Sequence, residues 1–485
     1  MREHYDVVII GAGVVGCAIA HELSRYKLTI AVLEKDSDVA SGTSGRNSGV
    51  VHAGFNCAYG TIKADLCVVG CLEFGDVCKE LDVPFRRIGK LVTALDQEGV
   101  SGLEKLKKMG EKNGVPGLEI IDQAEIKKLD PFVSGIAALY SPNTGITNPF
   151  LFTVALAENA HENGASFYFD TKVTSIISTE KGFRVRAGKR QIDAVWVINC
   201  AGLYADRIAR MVGINEYKIY PCRGEYYILD KRIGQYLNML VYPVPKANEG
   251  GLGVHLTPTI EGSILVGPSA EYIRSREDTA TTQDVMQQLF LEAKQLLPYI
   301  TEKDFIHHYS GIRPKLTGPL VGGFEDFIIE DRKDVAGFIN LLGIESPGLT
   351  SAVPISRLVV SLLNQKVGLE RKKFFRSQRK GIIRFRELTD EAKQRLIQED
   401  PSYGEIICRC ESITKGEIRS ALQNPLGVKT LTGIKYRAHA MMGRCQGGYC
   451  LTRITELLMK EGALTPEEIC ERGPASYLFT GRARI

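Results

Sequence analysis

Three closely spaced glycines near the start of the chain have the arrangement of a dinucleotide-binding turn. Gly11, Gly13 and Gly16 follow a β-branched run, residues 7–10, of the kind buried in a parallel sheet. In such a turn the first glycine allows the bend, the second lets the backbone approach a pyrophosphate, and the third lets the helix pack against the sheet. Glu34 ends the next predicted strand, residues 28–33, where a carboxylate can accept hydrogen bonds from ribose hydroxyls. The pattern predicts a dinucleotide site, for either FAD or NAD.

Four cysteines near the end of the chain could bind a metal centre. Cys408 and Cys410 form a C-x-C pair, and Cys445 and Cys450 form a C-x4-C pair. Four thiolates from two short loops can ligate zinc or an iron–sulfur cluster. Zinc ribbons prefer C-x2-C in both halves, so the spacing favours the iron–sulfur cluster and leaves zinc as the alternative. The other eight cysteines are scattered, and we expect them to act as small apolar residues.

Composition and charge argue against several classes of protein. The chain has 485 residues, of which 44% are hydrophobic, which is enough for two or three domains. No run reaches the ~18 apolar residues of a membrane span, and the start lacks the features of a signal peptide. We therefore expect a soluble, cytoplasmic protein. A net charge of +4 gives no indication of nucleic-acid binding.

The elements that must position these residues form more than one domain. Two further segments belong with the first strand: the apolar residues 195–198, which end in small residues, and a strand that ends at Gly343 before a helix opens at Gly348. Residues 219–305 instead alternate with period two and contain one helix, near 285–297. We expect a nucleotide-binding fold that is discontinuous in sequence and a separate, largely antiparallel domain between its parts.

Two segments resemble flavoproteins of the D-amino-acid oxidase superfamily. The loop SDVASGTSGRNSGVVHAGF, residues 37–55, resembles a segment that lies against FAD in that superfamily, and INCAGLYAD, residues 198–206, resembles a second one. The resemblance implies FAD, with the first amides of the helix at Gly348 near the reduced ring. The motif and the resemblance together assign the cofactor to Gly11, Gly13, Val14, Val15, Gly16, Glu34, Lys35, Thr43, Ser44, Asn47, Ser48, Gly49, Val173, Ala201, Gly202, Gly343, Gly348, Leu349 and Thr350.

Narrower resemblances cover nearly the whole chain. Residues 5–360 resemble the L-2-hydroxyglutarate dehydrogenases in NSGVVHAG, YPVPKANEGGLGVHLTP, SILVGPSA, SGIRPKL and GIESPGLTS. The layout is similar to the catalytic subunit of anaerobic glycerol-3-phosphate dehydrogenase, but IESPGLT replaces a Gly-Gly-Lys of that family, so we expect a 2-hydroxy acid ahead of glycerol 3-phosphate. ICRCESITKGEIRSAL and MGRCQGGYC resemble the bacterioferritin-associated ferredoxin type of [2Fe–2S] domain.

The expected fold class is α/β plus α+β in three parts. Residues 1–365 would form the FAD-dependent oxidoreductase, with FAD-binding parts at about 1–85, 148–218 and 306–365 and a substrate domain at about 86–147 and 219–305. Residues 366–404 would form a basic linker and 405–485 a small helical [2Fe–2S] domain. The eight basic residues within 370–386 predict a solvated connector, with docking to an acidic partner or a membrane surface as the alternative.

The resemblance implies oxidation of a small anionic hydroxy compound by hydride transfer to FAD. This chemistry needs a base for the hydroxyl proton and a fixed cation for the substrate. His52 and His255 are the candidate bases. Arg313 offers a planar fork for a carboxylate or phosphate, Lys315 adds a point charge, and Tyr242 adds a hydrogen bond.

A [2Fe–2S] centre accepts one electron at a time, which predicts a protein or quinone-side acceptor rather than oxygen. No transmembrane segment is expected, although peripheral membrane association stays open. Two other functions remain as alternatives. The fold also handles amines and amino acids, and the chain could be an electron-transfer subunit without its own small substrate.

Overall fold

The structure is a computed structural model that describes residues 3–245 and 253–481. The middle of YPVPKANEGGLGVHLTP, residues 246–252, lies outside the described residues. The helices are α1 Val14–Leu23, α2 Ile62–Glu80, α3 Gln97–Lys112, α4 Gln123–Leu129, α5 Pro149–Glu162, α6 Ala205–Met211, α7 Gln283–Leu296, α8 Gly348–Val367, α9 Asp390–Glu399, α10 Lys415–Leu422, α11 Leu431–Ala438 and α12 Leu451–Lys460.

The strands are β1 Glu3–Ile10, β2 Ile30–Leu33, β3 Val50–Val51, β4 Phe85–Arg87, β5 Lys90–Ala94, β6 Glu119–Asp122, β7 Ala137–Ser141, β8 Gly145–Thr147, β9 Ser166–Tyr168, β10 Val173–Thr179, β11 Gly182–Ala187, β12 Arg190–Asn199, β13 Tyr220–Leu229, β14 Leu240–Pro243, β15 His255–Pro258, β16 Ile264–Gly267, β17 Glu271–Tyr272, β18 Phe305–Lys315, β19 Ile328–Asp331, β20 Phe338–Leu342, β21 Ile406–Cys408 and β22 Ile413–Thr414. Of the helices in the described ranges, none is both long and apolar enough to cross a membrane.

The first large sheet has a parallel centre. β1 lies between β12 and β2, β2 pairs with β9, and β12 also pairs with β20, all in parallel. The antiparallel strands β10, β11 and β19 complete it at the sides. Helix α1 packs against α5 and α8, and α2 packs against α8, which buries the largest hydrophobic core against this sheet. Strands separated by long stretches of sequence therefore form one nucleotide-binding fold.

Close packing of α1 on this sheet explains why its turn contains glycine. A Cβ added at Gly16 would lie 2.0 Å from the Gly11 carbonyl oxygen, and one at Gly11 would lie 2.6 Å from the Cys200 carbonyl oxygen. Gly11 also has a φ of +104°, in the region that favours glycine. Helix and strands can approach this closely only where no side chain separates them.

The second large sheet carries the domain between the nucleotide-binding segments. Its strand order is β17-β13-β16-β15-β14-β5-β7-β6, with β18 beside β13, and its pairs are antiparallel except β14 with β5. We expected residues from about 306 onward to belong to the FAD-binding part. Strand β18 instead forms ten paired positions with β13 in the second sheet, so the chain returns to the first sheet only at β19 and β20.

The C-terminal domain has its own small core. The hairpin of β21 and β22 packs with α10, α11 and α12 around buried residues such as Ile418, Ile434 and Ile454. It docks on the first domain through Arg437, whose buried guanidinium donates to both carboxylate oxygens of Asp38 at 2.6 and 3.0 Å. Its Nε lies 3.4 Å from Glu158 Oε1. Because a buried charge is costly unless paired, this contact fixes one orientation of the domain.

The basic segment before this domain differs from the solvated connector that its charges predict. Arg379 is buried and donates to Glu158 at 2.6 and 2.8 Å and to the Leu81 carbonyl at 3.1 Å. Arg384 pairs with Asp82 at 3.1 Å. The Lys372 amine donates to the Asn163 carbonyl at 2.6 Å. The segment is a strap held on the first domain, because acidic residues far away in sequence lie beneath it.

The packing of α1 gives a direct test of the fold. We expect Gly16→Ala to lower the thermal midpoint of the FAD-free protein by about 5 °C or more, because the new methyl group overpacks the helix against β1. The matched control is Gly42→Ala, since a Cβ at Gly42 meets nothing within 4 Å. Equal midpoints for the two variants, measured by circular dichroism, would contradict this account.

Candidate functional site

The carboxyl ends of the parallel strands open onto a cavity of about 930 Å³. Parallel strands present these ends at one edge of a sheet, so β1, β2, β12 and β20 bring distant residues together there. Most of the predicted cofactor residues line the cavity: Gly11, Gly13, Val14, Val15, Glu34, Lys35, Thr43, Ser44, Asn47, Ser48, Val173, Ala201, Gly202, Gly343, Gly348 and Leu349.

The start of α1 provides donors for an anion. Its N-cap is Gly13, which has no side chain with which to cap the helix. A Cβ on Gly13 would lie 3.0 Å from Ser44 Oγ, which accepts a hydrogen bond from the Val14 amide at 2.9 Å. In the part of the chain that the structure describes, no side chain accepts from the remaining amides of the first turn, which carry the positive end of the helix dipole. This arrangement suits a pyrophosphate.

The Glu34 carboxylate is held rigidly at the end of β2. Oε2 accepts from the Ala12 amide at 2.8 Å, and Oε1 accepts from the Asp36 amide at 3.0 Å. Burial, followed by the charge of Asp36, raises the pKa of Glu34 to about 7. Hydrogen bonds from ligand hydroxyls to this carboxylate would offset the cost of its burial. The carboxylate is placed as a ribose acceptor requires.

The loop from Thr43 to Gly49 is fixed by strand β18 of the second sheet. Thr43 Oγ1 donates to the Ile312 carbonyl at 2.7 Å, and the Arg46 guanidinium donates to the Ser310 carbonyl at 3.0 Å. A Cβ at Gly311 would lie only 2.1 Å from the Arg46 carbonyl oxygen. The two sheets therefore meet at this loop, and the placement of β18 brings Arg313 to the cavity wall.

Three residues assigned to the cofactor do not line the cavity. Gly16 permits the packing of α1, as its place in the motif predicts. Gly49 has a φ of +67°, and a Cβ there would lie 2.3 Å from the Thr147 carbonyl oxygen. The Thr350 hydroxyl accepts from the His52 amide at 3.0 Å. These three residues support the site and do not form its surface.

The two predicted bases converge on the cavity. His52 Nε2 lies 3.3 Å from Ser346 Oγ, just before α8. His255 stacks on Tyr242 with ring centroids 3.7 Å apart, and its Nδ1 lies 2.8 Å from the Gly253 carbonyl, to which only a protonated Nδ1 can donate. Burial, followed by the charge of Lys90, lowers the pKa of His255 to about 3 and places the pKa of His52 well below its ordinary value. Both imidazoles are neutral near pH 7 and can accept a proton.

The predicted cations lie in different surroundings. Arg313 lines the cavity, and its guanidinium donates to the Ser269 carbonyl and, at 3.4 Å, to the Arg223 carbonyl. Lys315 does not line it: its buried amine donates to the Gly323 carbonyl at 2.7 Å and lies 3.4 Å from Glu345 Oε2. The predicted substrate contact of Lys315 is therefore not supported by its placement. The alternation of side chains along β18 sends Arg313 and Lys315 to the same face, but Glu345 holds the lysine below the surface.

Tyr242 faces a smaller neighbouring cavity and not the larger one. Its ring lies between His255 and the Lys90 amine, which is 3.8 Å from the ring centroid. The expected hydrogen bond from Tyr242 to substrate stays a prediction, and the stacking of its ring positions His255. Lys90 itself was not found from the sequence, because an isolated lysine beginning a strand carries no motif.

The C-terminal domain also contributes to the wall of the larger cavity. Tyr436 and the segment 472–476 line it, and Tyr436 stacks on Phe150 with ring centroids 4.5 Å apart. A Cβ at Gly473 would lie 2.1 Å from Ser37 Oγ, beside the end of β2. Sequence reasoning missed these residues because no local pattern predicts a contact across more than 400 residues.

The four cysteines come together on the C-terminal domain. Cys410 Sγ lies 3.9 Å from Cys408 Sγ and 3.6 Å from Cys445 Sγ, and Cys450 is close enough to hydrogen-bond Cys408. A Cβ on Gly443 would lie 2.8 Å from Cys410 Sγ, so the loop leaves no room for a side chain there. The Tyr449 amide lowers the pKa of Cys445, as a thiolate ligand requires.

Within the described ranges, no three His, Cys, Asp or Glu side chains converge on a point that could hold one ion. The four cysteine thiolates have the donor type that suits an iron–sulfur cluster.

A dinucleotide-type cavity at the ends of a parallel sheet, with two histidines and an arginine on its wall, is typical of dinucleotide-dependent oxidoreductases. The chain belongs to the DAO family of FAD-dependent oxidoreductases, whose profile matches residues 6–362. The profile of the BFD-like [2Fe–2S] binding domain matches residues 406–460. The protein is therefore an FAD-dependent oxidoreductase with a C-terminal [2Fe–2S] domain, and the predictions of fold class, enzyme class and both cofactors are confirmed.

Relatives agree with this assignment. A glycerol 3-phosphate dehydrogenase of Caloramator mitchellensis is 41% identical over 98% of each chain. The mitochondrial L-2-hydroxyglutarate dehydrogenase of Nematostella vectensis is 32% identical over 74% of this chain and 90% of its own. The structure of dithionite-reduced L-α-glycerophosphate oxidase from Mycoplasma pneumoniae, with FAD bound, has a TM-score of 0.73 at 30% identity and covers 78% of this chain and 99% of its own.

The cysteine cluster can be tested by composition. We expect Cys445→Ser to lose iron and acid-labile sulfide while the purified protein keeps its FAD, because a serine hydroxyl is a poor replacement for a cluster thiolate. Cys470→Ser is the control, since that cysteine lies outside the four. Iron, sulfide and zinc analysis measures the outcome. One zinc and no iron per wild-type chain would overturn the assignment.

The low histidine pKa values predict the pH dependence of flavin reduction. A pKa lowered from 6.5 to about 3 keeps the His255 ring neutral throughout the range from pH 5 to 8, and the pKa of His52 is lowered well below 6.5 in the same direction. At saturating substrate, the first-order rate of reduction should therefore show no fall on the acid side between pH 7 and pH 5. If anaerobic stopped-flow data show this rate falling toward acid pH with an apparent pKa near 6.5, the lowered pKa values of the two histidines would be contradicted.

Proposed function

We propose that the chain oxidises sn-glycerol 3-phosphate, with an L-2-hydroxy acid as the second candidate. The observation that carries the proposal is the 41% identity to a glycerol 3-phosphate dehydrogenase over 98% of both chains. That similarity includes the cysteine domain, whereas the L-2-hydroxyglutarate dehydrogenases match about three quarters of this chain. We therefore place glycerol 3-phosphate ahead of the 2-hydroxy acid, which reverses the order that the segment IESPGLT led us to expect. The local segment lacks a lysine, but the relationship over the whole chain outweighs one local difference.

The second candidate is supported by several relatives, whose sequence identities to this chain are similar to one another. L-2-hydroxyglutarate dehydrogenases from animals, a plant and a bacterium are 30–32% identical to this chain. Amine substrates have weaker support. The glycine oxidase structure of Geobacillus kaustophilus is 22% identical with a TM-score of 0.67, which shows a shared fold alone.

FAD supplies the hydride acceptor when it is bound. We assign its pyrophosphate to the turn at Gly11 and Gly13, its ribose to Glu34, and its ring to the wall beside Gly348. This assignment follows the glycine N-cap of α1, the fixed carboxylate of Glu34 and the uncapped start of α8. The reacting carbon of the substrate then lies between the start of α8 and the two histidines.

We assign proton removal to His52. This ring lines both cavities and adjoins the residues that precede α8, and the Thr350 hydroxyl fixes its backbone. A neutral imidazole in contact with the substrate hydroxyl can take its proton as the C–H bond breaks. His255, held by Tyr242 and by the Gly253 carbonyl, keeps a fixed orientation beside it. Arg313 lines the same cavity as both histidines and would supply positive charge for the substrate oxygen that loses its proton.

A [2Fe–2S] cluster on the four cysteines supplies one-electron transfer, which suits a protein or quinone-side acceptor. We propose such a partner, with peripheral membrane contact as one way to reach it. For the chain as a whole we propose an oxidoreductase part within residues 1–365, the strap within 366–404, and the cluster domain within 405–485.

The substrate and the role of Arg313 are tested together. Anaerobic mixing with sn-glycerol 3-phosphate should bleach the flavin absorption at lower concentration than L-2-hydroxyglutarate does. We expect Arg313→Met to lower the second-order reduction rate by about 100-fold, because a charged hydrogen bond contributes about 1.5–3 kcal/mol. Arg332→Met is the control, since Arg332 pairs with Glu216 and Asp334 away from the cavity.

Three outcomes would contradict these proposals. Bleaching by L-2-hydroxyglutarate alone would replace glycerol 3-phosphate by the second candidate. Bleaching by neither compound would reject both substrates. If the second-order rate of flavin reduction is unchanged in Arg313→Met, Arg313 does not contribute to the substrate site.

A further inference from the structure

A second cavity, of about 260 Å³, adjoins the active site. We call it the lysine pocket; it is bounded by residues 52–58, Lys63, Lys90, Tyr242 and residues 324–326. It shares His52, Phe324, Ser346 and Pro347 with the larger cavity. A molecule whose hydroxyl lies at His52 can therefore extend its other end into the lysine pocket.

Two buried lysines face this pocket. The whole-residue exposure of Lys90 is 3% and that of Lys63 is 6%. Among residues 3–245 and 253–481, the Lys90 amine has no carboxylate partner; it lies over the rings of Tyr242 at 3.8 Å and Phe55 at 5.0 Å. The Lys63 amine has no hydrogen-bond partner in the same ranges and lies 3.7 Å from Glu345 Oε1. Buried ammonium groups are costly unless an anion compensates them.

The acidic groups nearby are committed to other partners. Asp326 accepts from the Ile62 and Lys63 amides at 2.8 Å each, where it caps α2. Glu345 is shared between Lys63 and Lys315. Glu325 is exposed at the edge of the pocket. Burial lowers the pKa of Lys90 to about 7, so a bound anion beside the amine would favour its charged form. Within the described ranges, Lys90 is thus a buried amine of the pocket that no carboxylate compensates.

We propose that the lysine pocket binds the phosphate group of the substrate, with Lys90 and Lys63 as its two cations. This rests on the proposed function and names the part of the site that recognises the phosphate. Ammonium groups bind phosphate as point charges. Two ammonium groups match the two negative charges of a phosphate dianion better than they match the single charge of a carboxylate. Arg313, which lines only the larger cavity, is then left for the end of the substrate that reacts.

Cys57 provides a reporter of occupancy that does not depend on turnover. It lines the pocket, and a hydrogen bond from Cys67, together with the two lysines, lowers the pKa of its thiol. We expect inorganic phosphate to slow alkylation of Cys57 by iodoacetamide at least about fivefold in the complete protein, compared with chloride at equal ionic strength. Peptide mass spectrometry measures the modification, with Cys470 as the internal control.

Variants of the lysines show whether the effect belongs to them. In Lys90→Met, which keeps the volume of the side chain, phosphate should no longer protect Cys57. The concentration of sn-glycerol 3-phosphate at half-maximal flavin reduction should rise at least about 30-fold, while the limiting rate changes less than about threefold. Lys63→Met should act in the same direction. Lys107→Met, on the surface of α3, is the control and should leave both measurements unchanged.

The two proposals fail separately. The lysine pocket is not a phosphate site if phosphate does not protect Cys57 in the wild-type protein. The same follows if phosphate protects Cys57 as strongly in both lysine variants as in the wild type, even when glycerol 3-phosphate bleaches the flavin. If phosphate protects Cys57 through the lysines but glycerol 3-phosphate leaves the flavin oxidised, the pocket stands and the proposed substrate is wrong.

Discussion

The parallel direction of β1, β2, β12 and β20 is the constraint on which the rest of the structure depends. Strands that run the same way end at the same edge, so residues from the start, the middle and the end of the first domain line one cavity. Helix α1 packs closely against this edge of the sheet, because Gly11 and Gly16 have no side chains that would separate the helix from the strands. The first turn of α1, whose N-cap is a glycine, then faces the cavity, where it can bind an anion.

The two domains are joined by buried charges. Glu158 on α5 forms ion pairs with Arg379 of the strap and with Arg437 of the C-terminal domain. Arg437 also forms a bidentate ion pair with Asp38. A buried carboxylate or guanidinium that lost its partner would be strongly destabilising, so this cluster favours one docked arrangement. Tyr436, next to Arg437, consequently lies against Phe150 and on the wall of the larger cavity. The domain that carries the cysteines therefore also forms part of the wall of that cavity.

The active site is built where the two large sheets meet. Strand β18 belongs to the second sheet but holds the loop after β2 through Thr43 and Arg46, and this contact carries Arg313 to the cavity. Behind the histidines, Tyr242 and Lys90 continue from the same sheet and form the wall of the lysine pocket. A cation beneath the rings also helps to keep His52 and His255 neutral. Lys90 is thus electrostatically coupled to both imidazoles.

The sequence by itself determined the local chemistry: the glycine turn, Glu34, the small residues at Ala201 and Gly202, and the four cysteines, because each depends on spacing within a short segment. Tertiary structure decided what distant residues do. Lys315 looked like a substrate cation, but Glu345 holds it below the surface, and the basic strap looked solvated until Glu158 and Asp82 supplied its partners. Lys90 and Tyr436 carried no motif at all. Their positions follow from burial and charge pairing between elements far apart in the chain, which no short pattern of residues records.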